Sequence, residues 1–194
     1  MIDAPKLTLP EAEADLLRAA YAGAGVILEY GSGGSTLVAA QSATKAVFSV
    51  ESDRDWCGMM RKWFDENPPA VPVTIHHGNI GPTQKWGRPL NTEKAGIWSG
   101  YPLSIWDQAG FIHPDVVLVD GRFRLACLLT TLLRITRPVR VLCDDYLGRP
   151  AYHRIETLVG APAMTGRMAD LTFTPHSFPV AQMGWIIAAY ADPS

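Results

Sequence analysis

The sequence predicts an α/β fold, a doubly wound and mostly parallel sheet with helices on both faces. Two observations carry this expectation. Four near-continuous apolar runs stop on acids: Val26–Glu29, Val47–Glu51, Val116–Asp120 and Val139–Asp145. Runs of this length and content fit strands buried on both faces. Between them lie segments of helical periodicity, as repeated strand–helix units require. If the four strands point the same way, their terminal acids gather along one edge, just beyond the carboxyl ends where open sheets bind ligands.

The elements follow in order. Thr8-Leu9-Pro10-Glu11 has the features of a helix start, a capping residue, a proline in the first turn and a Glu three residues on. That helix runs to about Tyr21 and ends at Gly23 and Gly25. A strand over 26–30 enters the turn Gly31-Ser32-Gly33-Gly34-Ser35-Thr36, followed by a small-residue helix to about Ser42. The second strand is Ala46–Glu51. Ser52 or Asp53 can cap the next helix, which Asn67-Pro68-Pro69 stops. The third strand is Val71–His77, ending in Gly78-Asn79.

From Gly81 to Pro114 the periodicity lapses. Trp86, Trp98 and Trp106, half of the six tryptophans, lie here with Tyr101 and Phe111. Disordered segments are poor in aromatics, so an ordered lid or binding loop is expected. Trp98, Tyr101 and Trp106 either cover a substrate or pack the loop onto the sheet edge. The fourth strand is Asp115–Asp120. The helix after it carries Leu125, Leu128, Leu129, Leu132 and Leu133 as an apolar stripe. The fifth strand is Val139–Cys143, then a helix over about 150–159. Met168–Phe173 and Trp185–Tyr190 read as a closing antiparallel strand pair.

At 194 residues, with 47% hydrophobic and 19% charged content, the chain fits one domain over 1–194. The N-terminal helix falls within 1–25 and the aromatic loop spans 81–114. Net charge is −2 with scattered Lys and Arg, which argues against nucleic acid as a partner. No run approaches the roughly 18 residues of a membrane span, and Met1–Pro10 lacks a secretory pattern. Cys57, Cys127 and Cys143 are odd in number and lie inside regular elements, as reduced buried thiols of a cytoplasmic protein would.

After a buried strand, Gly31 permits a sharp turn and Gly33 a close backbone approach to a ligand. Amide N–H groups opening the next helix favour an anionic group. A phosphate-binding loop would need Lys after the glycines, and none is there. A nicotinamide dinucleotide usually asks for a third glycine where Thr36 stands. S-adenosylmethionine, with a carboxylate and no phosphate, is the third option. Glu51, 20 residues past Gly31 at a strand tip, can accept both hydroxyls of a ribose.

Leu28–Thr36 resembles the first motif of the class I S-adenosylmethionine-dependent methyltransferases, Val50-Glu51 the second, Gly78-Asn79 the third and Asp120 the fourth. The resemblance spans about 26–190 and implies a seven-stranded Rossmann-like sheet with an antiparallel last strand. It assigns Glu29 to the methionine amino group, Gly31, Ser32 and Gly33 to the glycine turn against the cofactor, Glu51 to ribose and Asn79 to adenine. A small-molecule methyl acceptor is then expected, with transfer at oxygen. Two other readings stay open: a methyltransferase-like module that binds without turnover, and a nicotinamide-dependent oxidoreductase.

Asp120-Gly121 and Asp144-Asp145 also resemble part of the pattern of metal-dependent O-methyltransferases. This implies that Asp120, Asp144 and Asp145 hold Mg²⁺, which would acidify an acceptor hydroxyl. The lysine base of the catechol type is missing, since the stretch reads Gly121-Arg122-Phe123-Arg124. Arginine keeps its proton and is a poor base. The two arginines could instead pair with Asp144 and Asp145, or bind a carboxylate or phosphate on the substrate. The acids could also simply cap helices. Asp120, Asp145 and His153 are the candidate catalytic groups, with His113 as a weaker candidate base.

Overall fold

The computed structural model describes residues 3–42 and 45–194, so Met1 and Ile2 of the N-terminal segment fall outside the described residues. Nine strands are described: β1 Val26–Tyr30, β2 Ala46–Glu51, β3 Val73–His77, β4 Thr83–Gln84, β5 Arg88–Pro89, β6 Val116–Val119, β7 Val139–Cys143, β8 Ala163–Thr165 and β9 Met168–Phe173. The α-helices are α1 Glu11–Ala22, α2 Gly34–Gln41, α3 Arg54–Glu66, α4 Gly100–Leu103, α5 Arg124–Arg134, α6 Glu156–Val159 and α7 Met183–Ala189.

Seven strands form one sheet in the order β3-β2-β1-β6-β7-β9-β8, and β4 and β5 make a separate small hairpin. Neighbours from β3 through β7 are parallel, while β9 runs antiparallel to both β7 and β8. Every residue of β1, β2 and β6 is buried, which is why these strands read as unbroken apolar runs. Alternate side chains serve opposite faces. Ile27, Val47, Leu118 and Leu142 pack with Leu17 and Tyr21 of α1 and Ala39 of α2. Leu28, Phe48, Val117 and Val141 pack with α5, Trp98, Tyr101, Trp106 and Ile186. On the outer part of the first face, Cys57, Met60 and Phe64 of α3 meet Ile75. At about 25 cal/mol per Å² of apolar surface removed from water, these two faces are the main source of stability.

The order of parallel strands brings the carboxyl ends of β1, β2, β6 and β7 side by side, with Glu29 beside Ser49 and Leu118 in register. The strand order turns back between β1 and β6, the position where open sheets leave a crevice. The three cysteines are buried and unbonded. No helix among the described residues is long and apolar enough to cross a membrane.

Two expectations need correction. Trp185–Tyr190 is not a strand: Trp185–Ala189 lies in α7, which buries Ile186 and Ala189 and exposes Ile187, and Tyr190 is its C-cap. Six residues of nearly continuous apolar character have no period to separate strand from helix, and the i, i+3 burial settles it as helix. The hairpin partner of β9 is β8, joined to it across a tight turn in which Gly166 has φ +56°. Thr8 does not cap α1: the cap position is Pro10, with no side-chain hydrogen bond. Of the two readings of the aromatic segment, Trp98, Tyr101 and Trp106 take the one of packing onto the sheet, since all three are built into the core. Trp106 Nε1 donates to Tyr30 Oη at 2.8 Å and Trp98 Nε1 to the Ile80 carbonyl at 3.1 Å, satisfying the polar edges that burial would otherwise strand.

Candidate functional site

At the crevice lies a cavity of about 740 Å³, lined by the turn Gly31–Ser35, by Glu51, Asp53, Trp56 and Met59, by Trp86-Gly87, and by Tyr101, Asp120, Gly121 and Arg122. Residues Pro5–Leu9 close one side. The turn is shaped by glycine. Gly31 has φ +103°, and a Cβ there would lie 2.9 Å from the Gly121 backbone nitrogen. Gly34 lies so close to the Lys6-Leu7 backbone that a Cβ would not fit. A Cβ on Gly33 would meet nothing within 4 Å. The space beside Gly33 is therefore open for a ligand, whereas Gly31 and Gly34 are glycines for packing.

Glu29 sits behind this turn, fully buried and outside the cavity lining. Tyr21 Oη and Thr36 Oγ1 each donate to its carboxylate at 2.6 Å, and burial raises its pKa against those hydrogen bonds. Thr36 Oγ1 in turn accepts the Gly33 N–H at 3.0 Å. Threonine at this position thus links strand tip to turn, which a third glycine could not do. Glu29 holds the shape of the turn from beneath.

Glu51 lines the cavity. Its oxygens accept N–H groups of Ser32 at 3.2 Å and Asp53 at 2.8 Å, which aim the carboxylate, while burial raises its pKa. Ser52 Oγ donates to the Gly87 carbonyl at 2.8 Å and so ties the β4–β5 hairpin to this strand tip. Trp56 Nε1 donates to the Ser32 carbonyl at 2.8 Å. Trp86 is 74% exposed and has φ 67°, an uncommon backbone state for a bulky residue. Two indoles, Trp56 and Trp86, thus line the same cavity as Glu51. Asn79 lies outside it, exposed, with Oδ1 accepting the Gly81 N–H at 3.0 Å.

The second acid group is paired with arginine. Arg124, whose side chain is 5% exposed, reaches Asp120 at 3.1 Å and Asp145 at 3.2 Å, and donates to the Asp120 and Asp144 carbonyls. Arg167 forms a two-pronged bond to Asp144, 2.9 Å and 2.7 Å, and reaches Asp145 at 3.2 Å. Asp144 is buried, so a fixed partner is what permits its charge there. The Mg²⁺ expectation is not supported. The carboxylate oxygens face guanidinium groups, and no cluster of three or more acids, histidines or cysteines suited to a metal exists among the described residues. The partners are Arg124 and Arg167, not Arg122 and Arg124.

Of the three acids only Asp120 lines the cavity. Burial raises its pKa to about 7 against the pull of Arg124, with Asp144 and Asp145 adding repulsion. An acid whose pKa rises on folding binds more protons folded than unfolded between its two pKa values. Stability therefore falls as the pH climbs from about 4 towards 7. Glu29 and Glu51, also raised, act in the same sense. Asp120→Asn should flatten this part of the profile, by about 1–2 kcal/mol for a group still partly open to water. Urea midpoints at pH 5 and pH 8 check it; equal slopes in variant and parent would refute the shift.

His153 stacks on Tyr146 at 4.8 Å, with Nε2 at 3.1 Å from the Tyr146 carbonyl, and His113 Nε2 accepts the Thr136 N–H. Neither lines the cavity. The sequence reading missed Pro5–Leu9, Trp56 and Arg167, and named Trp86 only as one of the aromatics of the 81–114 loop. An exposed, aromatic, positive-φ residue such as Trp86 has a local signature in three dimensions but none in periodicity.

No protein-family model matches the sequence, and neither does any curated protein. Among solved structures, a methyltransferase-like protein from Silicibacter pomeroyi DSS-3 shares 50% identity over 98% of this chain and 99% of its own, with a TM-score of 0.95. An O-methyltransferase from Bacillus cereus, solved with SAH, shares 13% identity over 84% of this chain and 80% of its own, with a TM-score of 0.56, a likeness of fold alone. By that likeness and by the strand order of its sheet, the chain belongs to the class I S-adenosylmethionine-dependent methyltransferase superfamily.

Proposed function

We propose that the chain binds S-adenosylmethionine in the 740 Å³ cavity and transfers its methyl group to an oxygen of a small-molecule acceptor. The observation that carries this is the juxtaposition, on one cavity wall, of open space beside Gly33, the aimed carboxylate of Glu51 and the ionisable Asp120. The cofactor, when bound, supplies a methyl group on a positive sulfur. Glu51 accepts the ribose hydroxyls, and Trp56 and Trp86 offer aromatic faces to the adenine in place of Asn79. Gly31, Ser32 and Gly33 let the backbone approach, and Glu29 keeps the turn in shape through Thr36. Asp120, whose pKa burial raises to about 7, would take up the proton of the acceptor hydroxyl, while the bound cofactor would supply the methyl group. Positioning supplies most of the remaining rate.

Calorimetric titration with S-adenosylhomocysteine tests the reading directly. Binding at micromolar concentration is expected, and absence of heat at millimolar ligand would remove the proposal. A module that binds the cofactor without turnover is the second reading, favoured by the ion pair between Asp120 and Arg124. Methyl release from labelled cofactor across a panel of hydroxylated acceptors separates the two.

A further inference from the structure

Arg124 and Arg167 direct their guanidinium groups at Asp120, Asp144 and Asp145. Arg122, between Gly121 and α5, does not. Among the described residues no carboxylate lies within ion-pair distance of it, and its buried Nε has no hydrogen-bond partner. Its backbone is held in place, the N–H near Tyr101 Oη at 3.4 Å and the carbonyl near Cys127 Sγ at 3.4 Å. The side chain lines the cavity beside Asp120. Burial disfavours its charge, and Arg124 and Arg88 add like-charge repulsion. Arg88, exposed on the β4–β5 hairpin next to the cavity-lining Gly87, is close enough for its charge to act on Arg122, and it too has no acid partner among the described residues.

A half-buried guanidinium has five directed N–H donors, and a distant field from paired aspartates satisfies none of them. The charge of a guanidinium held away from any carboxylate is offset by an oxyanion, and its planar fork fits a carboxylate or phosphate with two parallel bonds. The preceding reading gives the cofactor's ribose to Glu51, which leaves Arg122 for another group. We propose that Arg122, assisted by Arg88, recognises an oxyanion, carboxylate or phosphate, on the methyl acceptor, so that the acceptor is an anionic hydroxylated small molecule. This rests on the cofactor reading above.

The test uses the full chain, with and without saturating S-adenosylhomocysteine, titrated by NMR with benzoate, phenyl phosphate and uncharged benzyl alcohol. At least one anion should bind tenfold or more tighter than benzyl alcohol, and the better of the two identifies the oxyanion. Arg122→Met should remove that preference, Arg88→Gln should weaken it about threefold, and Arg122→Lys should retain part of it. Affinity for S-adenosylhomocysteine should change less than threefold in all three variants. Anions that bind no better than benzyl alcohol to the parent protein would overturn the proposal without reliance on any variant. So would an Arg122→Met protein that loses S-adenosylhomocysteine affinity as strongly as anion affinity, since Arg122 would then serve the cofactor carboxylate. Failure of S-adenosylhomocysteine to bind the parent removes the cofactor reading instead, and the titration of ligand-free protein still decides whether Arg122 selects anions.

Discussion

Arg124→Met should destabilise the protein by about 3–5 kcal/mol, the usual cost of removing one partner from a buried ion pair. Arg124 is almost fully buried and lies between Asp120 and Asp145 while donating to the carbonyls of Asp120 and Asp144. Methionine fills much of the volume, so lost charge rather than a cavity dominates the effect. The adjoining backbone needs this anchor. Phe123, just before α5, has φ 51°, and Asp145, just after β7, has φ 55°, both in the left-handed region. One guanidinium thus pins two strained connections that follow neighbouring strands. Urea denaturation at pH 8, where Asp120 is mostly ionised, would show the largest shift. At pH 5 the penalty should shrink, because protonated Asp120 no longer needs a cation. A loss under 1 kcal/mol at both values would show that the arginine is not what holds the acid cluster together.

Glu51→Ala should weaken S-adenosylhomocysteine binding about 100-fold. Hydrogen bonds to a charged group contribute about 1.5–3 kcal/mol each, and a ribose offers two hydroxyls. The side chain is aimed before any ligand arrives, by the Ser32 and Asp53 N–H groups, so little ordering is lost on binding. Because burial raises the Glu51 pKa, affinity in the parent should fall as the pH drops through that raised value, and Glu51→Gln should bind weakly with no such dependence. Calorimetry from pH 5 to pH 8 measures both. Thermal unfolding of the alanine variant must accompany it, since Glu51 also orders the start of α3 through Asp53. A folded Glu51→Ala protein that binds within threefold of the parent would move the ribose elsewhere.

The two experiments probe features of different legibility. Glu51 could be found from the chain alone, because a parallel strand buried on both faces has a recognisable composition and its last residue must stand at the ligand edge. The turn at Gly31 was equally visible, and Thr36 could be read as a departure, though not as the hydroxyl that joins Glu29 to Gly33. The acid cluster was legible only in part. Three aspartates at two strand ends suggested either a metal or arginines, and the deciding residue, Arg167, lies in the turn after β8, 22 residues beyond Asp145. Its place beside Asp144 follows from β9 pairing antiparallel with β7, a relation that no local pattern encodes. The closing helix α7 was missed for a related reason. A short apolar run fits a strand or a helix until its neighbours decide which face is covered.

By itself the sequence determined the alternation of strand and helix, the strand ends that carry acids, and the glycine turn, because each depends on residues within a few positions of one another. Packing between distant segments settled which cations meet Asp120, Asp144 and Asp145, that Pro5–Leu9 and Trp86 wall the cavity while Asn79 stands outside, and that Arg122 Nε has no partner among the described residues. Backbone periodicity is a short-range property written along the chain. Charge pairing and cavity lining are set by which distant segments the sheet order brings together.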